Sequence, residues 1–182
     1  MFGRVNYTLK DRYLLSASFR REGSSKFGPN NRWGNFWAIS GAWRMLEEDF
    51  MKDIDILNDL KLRIGYGVTG NNSFDPGYYT RMYAADSQMY PTPTGQWVFA
   101  YGPARNANPD LKWEEKGEFN IGFDYALLDN RIYGKFDLYR RKVNDLLYTT
   151  NAPVPPMTHA TILKNIGSLK NNGWEFEIGG DV

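Results

Sequence analysis

Apolar and polar residues alternate along most of this chain, as expected when successive side chains point to opposite faces of a β-strand. In residues 118–127, aromatic and aliphatic side chains alternate with Glu118, Asn120, Gly122 and Asp124. Seven segments follow this pattern, at 3–9, 13–20, 35–43, 60–68, 118–127, 132–139 and 174–178. The pattern therefore predicts an all-β protein of about seven strands, each with an apolar and a polar face.

The connections between these segments differ in length in a regular way. Short turns at 10–12 and 128–130 alternate with long polar connections at 22–33, 69–115 and 145–171. Short turns at one end and long loops at the other describe an antiparallel up-and-down meander, which is also the layout of an outer-membrane barrel.

The connection at 46–58 departs from the alternation. Leu46, Phe50, Ile54 and Leu57 recur there at helical spacing, which predicts a short helical turn. The remaining pattern suits a membrane barrel or a soluble β-sandwich, because the strands of both alternate. The longer segments approach the roughly 9–11 residues of a membrane strand, whereas globular strands average about 5–6. Pattern alone leaves both architectures open.

Composition narrows the classes of function. The chain has 22 Lys and Arg against 21 Asp and Glu, a net charge of +1, so no nucleic-acid partner is expected. It has no Cys and one His, His159, so disulfides, thiolate metal sites and multi-histidine sites are excluded. We therefore expect no metal and no cofactor. Mean hydropathy is −0.57, and no apolar run approaches the roughly 18 residues of a membrane helix.

Two acidic groups are the candidates for catalysis. Glu47-Glu48-Asp49 and Glu114-Glu115 could supply paired carboxylates, which keeps a hydrolase open as an alternative. Charged clusters in connections are usually solvated, so we expect the chain not to be an enzyme. The glycines between Gly65 and Gly70 fit a dinucleotide fingerprint, but the residues that follow cannot begin the helix that such a site needs.

Aromatic residues make up 16% of the chain, and many of them lie in the longest connection. Aromatic faces stack on sugar rings and pack against peptide side chains, so these residues are candidates for substrate contact. The alternative, given equal weight, is that the rings pack the loop against itself. The candidate substrate-binding residues are Tyr78, Tyr79, Tyr83, Trp97, Tyr101 and Trp113.

Several short motifs carry a resemblance to a known family. They are Gly23-Ser24-Ser25-Lys26-Phe27-Gly28-Pro29-Asn30-Asn31-Arg32-Trp33-Gly34, Glu48-Asp49-Phe50-Met51, the run from Leu57 to Asn72, Asn108-Pro109-Asp110-Leu111-Lys112-Trp113-Glu114, Phe119-Asn120-Ile121-Gly122, Asn144-Asp145-Leu146-Leu147, Asn165-Ile166-Gly167 and Asn172-Gly173-Trp174-Glu175. Together, and in this order, they resemble the SusC/RagA-type TonB-linked outer-membrane transporters.

The resemblance implies part of a large plugged barrel of the 22-stranded type in the outer membrane of Gram-negative bacteria. Such a barrel is surrounded by lipid, is driven by the TonB complex, is capped by a SusD-like surface lipoprotein and imports glycans or peptides. The resemblance favours the barrel over the sandwich. We expect residues 1–182 to be a partial, open transmembrane β-barrel domain, with the plug domain and the signal peptide absent. A soluble carbohydrate-binding β-sandwich module remains the alternative.

Overall fold

A computed structural model describes residues 1–52 and 54–181. Within that part the chain forms long and short β-strands and two three-residue 3-10 turns, Met45–Glu47 and Asp49–Met51. The strands are β1 (Phe2–Leu9), β2 (Tyr13–Gly23), β3 (Trp33–Arg44), β4 (Leu57–Asn71), β5 (Tyr83–Pro91), β6 (Trp97–Pro103), β7 (Glu114–Leu127), β8 (Ile132–Asn144), β9 (Leu147–Asn151), β10 (Thr161–Asn165) and β11 (Ser168–Gly180). No helix of the described part is long and apolar enough to cross a membrane.

The long strands form one seven-stranded sheet in the order β1-β2-β3-β4-β7-β8-β11, and every neighbouring pair is antiparallel. The short strands are two hairpins, β5-β6 and β9-β10, which rise from the two longest connections. β1 and β11 lie at opposite ends of the sheet, so the sheet is open. The predicted all-β, open meander of seven strands is confirmed. In the described part of the chain the other two sheets are two-stranded hairpins in the long loops, so no second large sheet faces the first as in a sandwich.

The strands are longer than the alternation predicted. β4 has 15 residues, β7 has 14 and β8 has 13. The added residues lie mostly toward the long loops, where polar side chains occupy both faces and the period of two disappears. In 46–58 the helical prediction corresponds to the two 3-10 turns; Asp53 lies outside the described residues.

One face of the sheet is apolar because the register aligns the apolar positions of neighbouring strands. Ile64 lies opposite Ile121, which lies opposite Leu138, and that residue in turn faces Trp174. These four side chains are half-buried or exposed. Further apolar side chains on the same face flank this row; they are Tyr7, Leu15, Ile39, Tyr66, Phe119 and Phe176. A continuous exposed apolar surface of this kind is the lipid-facing side of a barrel.

The other face carries a ladder of ion pairs. The Arg63 guanidinium donates to Asp124 at 2.7 Å and to Asp137 at 3.1 Å, and Lys61 lies 3.6 Å from Asp124. The Arg63–Asp137 contact passes over Gly122, where an added Cβ would clash with the Asp137 carboxylate and the Arg63 guanidinium. The absence of a side chain at this glycine therefore allows charges on three strands to meet on the polar face.

Candidate functional site

The buried core lies at the long-loop end of the sheet. Phe27 and Leu111 are fully buried, and Phe36, Trp113 and Leu163 pack around them. β3 pairs with β4 from Arg44↔Lys61 to Ala38↔Gly67; beyond that point β3 runs on beside β2, and β4 runs on beside β7. The buried cluster lies beyond this point, toward the long loops. Side chains from three loops meet in it and form a common base for the rest of these loops.

Trp113 belongs to this base. Its ring lies 5.1 Å from that of Phe27 and 5.3 Å from that of Phe36, and its indole Nε1 donates to the Arg32 carbonyl at 3.1 Å. Only 7% of the residue is exposed. Trp113 is therefore the most buried of the six aromatic candidates, and its ring packs inside the loops, as the loop-packing alternative expects.

Asn106 joins the longest loop to the β9-β10 hairpin. Its Nδ2 donates to the carbonyls of His159, at 2.6 Å, and Thr161, at 2.9 Å. Its Oδ1 accepts from the backbone and hydroxyl of Thr158 and from the backbone of His159. This buried amide forms hydrogen bonds with several polar groups of two loops. Replacing Asn106 would leave these groups without partners and would destabilise the loops.

Two further residues extend this connection. Asn165 donates to the Lys112 and Asp145 carbonyls at 2.8 and 2.9 Å and accepts from the Lys112 backbone at 2.9 Å. The Glu114 carboxylate accepts from Asn71 at 3.0 Å and from the Leu147 backbone at 2.9 Å. Polar residues of the motifs at 108–114, 144–147 and 165–167 therefore bind one another. Sequence reasoning missed this, since the separation of these residues along the chain hides it.

The β5-β6 hairpin displays a row of exposed aromatic side chains. Trp97, Phe99 and Tyr101 alternate along one face of β6 and are 64%, 53% and 71% exposed. Tyr83 and Met89, on the same face of β5, are 60% and 43% exposed. Three of the candidates, Tyr83, Trp97 and Tyr101, are thus brought together on a surface that a ligand can reach.

Tyr78 and Tyr79 lie closer to the base of the loops than the aromatic residues of the hairpin do. Both are half-buried near the base of the loops, and the Tyr78 ring packs edge-on against Phe74 and lies under the Arg105 guanidinium at 4.1 Å. Sequence reasoning missed Phe99, although it alternates with Trp97 and Tyr101. The period of two within 97–101 was the available signal.

One carboxylate in each acidic cluster, Glu48 and Glu114, has structural hydrogen-bond partners. Glu48 accepts from the Tyr13 hydroxyl, from Trp43 Nε1 at 3.1 Å and from Arg12 at 3.0 Å. The hydrogen bonds from Tyr13 and Trp43, followed by the charge of Arg12, hold the pKa of the Glu48 carboxyl below its ordinary value. The carboxylate ties the β3-β4 connection to the short-turn end of the sheet.

An open antiparallel sheet with an apolar outer face, a charged inner face and long loops at one end defines part of an outer-membrane β-barrel. A family described as "TonB dependent receptor-like, beta-barrel" matches residues 1–181. The chain therefore belongs to the TonB-dependent receptors, as part of their barrel, and its place is the outer membrane of Gram-negative bacteria.

Its relatives agree with this assignment. The chain is 40% identical over 97% of its length to the TonB-dependent receptor SusC of Bacteroides thetaiotaomicron, and 38% identical over 98% to the TonB-dependent receptor P39 of Formosa agariphila. A structure of the RagAB peptide importer in its closed-closed state superposes on the whole chain with a TM-score of 0.88 at 28% identity. The chain spans 18%, 16% and 19% of these proteins, respectively.

Proposed function

We propose that the whole protein imports glycans or peptides through the outer membrane, with energy from the TonB complex. The observation that carries this proposal is the division of the sheet between an exposed apolar face and an ion-paired face, together with the family. The relatives support it because they include SusC and the RagAB peptide importer. The matched relatives are receptors and transporters, and the absence of an enzymatic activity stays a prediction.

We further propose that the long loops capture the substrate. The β5-β6 hairpin presents Tyr83, Trp97 and Tyr101 on one exposed face, and Tyr78, which precedes the hairpin in the chain, packs against the core around Phe27. Exposed aromatic rings on a fixed base suit the stacking of sugar rings or peptide side chains. A SusD-like surface lipoprotein would cover this end of the barrel.

Surface accessibility in the full-length protein tests the topology. An epitope tag inserted after Gly95, in the β5-β6 turn, should bind antibody on intact cells, because nothing lies within 4 Å of a Cβ built there. A tag after Asp129, in the β7-β8 turn, should bind antibody only after the cells are opened. The reverse pattern would refute the assignment of the loops to the cell surface.

Uptake tests the transport itself. A strain lacking the gene should lose growth on the glycan or peptide that the protein imports, and depletion of TonB should produce the same loss. Growth that is independent of TonB on every such nutrient would refute the proposal. A hydrolase would instead release product from oligosaccharides in the purified protein, which we do not expect, since Glu48 and Glu114 are engaged in structural hydrogen bonds.

A further inference from the structure

A basic cleft lies between the foot of the β5-β6 hairpin and the loop before β10. It is a cavity of about 300 Å³ whose lining includes Arg81, Tyr83, Arg105, Asn106, Met157 and Thr158. A second cavity, of about 410 Å³, shares Arg105 and Asn106 and extends toward His159 and Leu163. Both volumes fall in the range of small-ligand pockets.

The charge of the cleft is of one sign. Among the described residues, neither cavity is lined by Asp or Glu. Within 1–52 and 54–181, Arg81 and Arg105 also form no ion pair. Two guanidinium groups without carboxylate partners give the cleft a field that attracts anions.

Contacts with its neighbours hold the Arg105 guanidinium in place and leave it with free hydrogen-bond donors. Its guanidinium lies over the Tyr78 ring at 4.1 Å and donates to the Pro76 carbonyl at 3.0 Å. Gly77 leaves room for it, since a Cβ there would come within 2.7 Å of the Arg105 guanidinium nitrogen. The Arg105 Nε is buried and has no hydrogen-bond partner in the described part of the chain. Because this Nε is shielded, the donors that a ligand can reach are those of Nη1, which makes no hydrogen bond in the described part of the chain.

The other residues that line the cleft can contact the uncharged part of a ligand. Asn106 is locked by its bonds to Thr158, His159 and Thr161, so one wall of the cleft is rigid. Tyr83, at the other wall, is 60% exposed and belongs to the aromatic face of the hairpin. A ligand stacked on that face could therefore place an acidic group between the two guanidiniums, whose planar forks match a carboxylate.

We propose that this basic cleft is a subsite for a carboxylate of the imported substrate, either the acid end of a peptide or a uronic-acid unit of a glycan. The proposal rests on the proposed function and specifies its substrate class: substrates that carry a carboxylate.

Binding to the purified full-length protein tests the subsite. The probes are an alanine hexapeptide with a free carboxyl end and its C-terminal amide, and a galacturonate trisaccharide and its methyl ester. Calorimetry should show that the wild type binds at least one acidic probe about 10-fold or more tightly than its neutral counterpart. A ratio of this size corresponds to the free energy of one charge-assisted hydrogen bond. The pair that shows the preference identifies the source of the carboxylate.

Two variants and a control complete the test. R81Q and R105Q should each remove most of this preference, whereas K164Q, which removes a charge from β10 outside both cavities, should keep it. Arg81 is exposed and makes no ion pair in the described part of the chain, so R81Q tests the subsite without disturbing the fold. Equal binding of acid and neutral probes by the wild type, or a preference that survives R81Q and R105Q, would overturn the proposal. If TonB-dependent uptake persists in that case, transport stands and only the subsite fails.

Discussion

An arginine in place of Ile121 tests the assignment of the apolar face to lipid. Ile121 lies in the middle of the 14 residues of β7, with Ile64 and Leu138 as its neighbours on the adjoining strands. Arginine on the lipid face costs about 2–4 kcal/mol at the bilayer midplane and about 0–1 near the interfaces. Because Ile121 lies at the centre of its strand, we expect Ile121→Arg to cost about 2–4 kcal/mol, the range for the midplane. Even about 2 kcal/mol lowers the ratio of folded to unfolded protein roughly 30-fold.

Asn120 supplies the matched control. It precedes Ile121 and points to the polar face, where it lies opposite Gly65 and Tyr139. Asn120→Arg should therefore cost far less than Ile121→Arg. The amount of full-length protein in the outer-membrane fraction, and its heat-modifiable migration on gels, measure assembly. We expect a large loss for Ile121→Arg and near-normal assembly for Asn120→Arg; equal yields of the two variants would refute the assignment of the faces.

Three further predictions concern the loops and the short-turn end. Leu111→Ala should lower the free energy of unfolding by about 2–5 kcal/mol, because Leu111 is fully buried, and urea titration measures this. Alanine at Trp97 and Tyr101 should weaken uptake several-fold at unchanged surface expression, and unchanged uptake would refute their contact with the substrate. Because folding lowers the pKa of the Glu48 carboxyl, the stabilisation that this carboxylate provides is present above its ordinary pKa and disappears as the pH falls below the folded value. Melting curves of wild type and Glu48→Gln should therefore differ at pH 7 and converge at acid pH.

The sequence by itself determined the number of long strands and the face on which each side chain lies. Alternation in segments such as 60–68 and 118–127 is a local property, since the pleat sends successive side chains to opposite sides whatever the partner strand is. The rule that short turns alternate with long loops likewise needs no tertiary contact. The open meander and the separation of apolar from polar faces could therefore be predicted from the pattern. The family followed from the order of the motifs.

Only the tertiary structure decided what the loop residues do. Trp97 and Trp113 lie in the same connection and have the same side chain, yet the first is 64% exposed and the second is 7% exposed. The difference arises from Phe27 and Phe36, which precede them in the chain by dozens of residues and close around Trp113 alone. The meeting of Arg81 and Arg105 in one cleft is of the same kind. Burial and charge pairing depend on contacts between residues that are distant in the chain, and such contacts leave no local period in a single sequence.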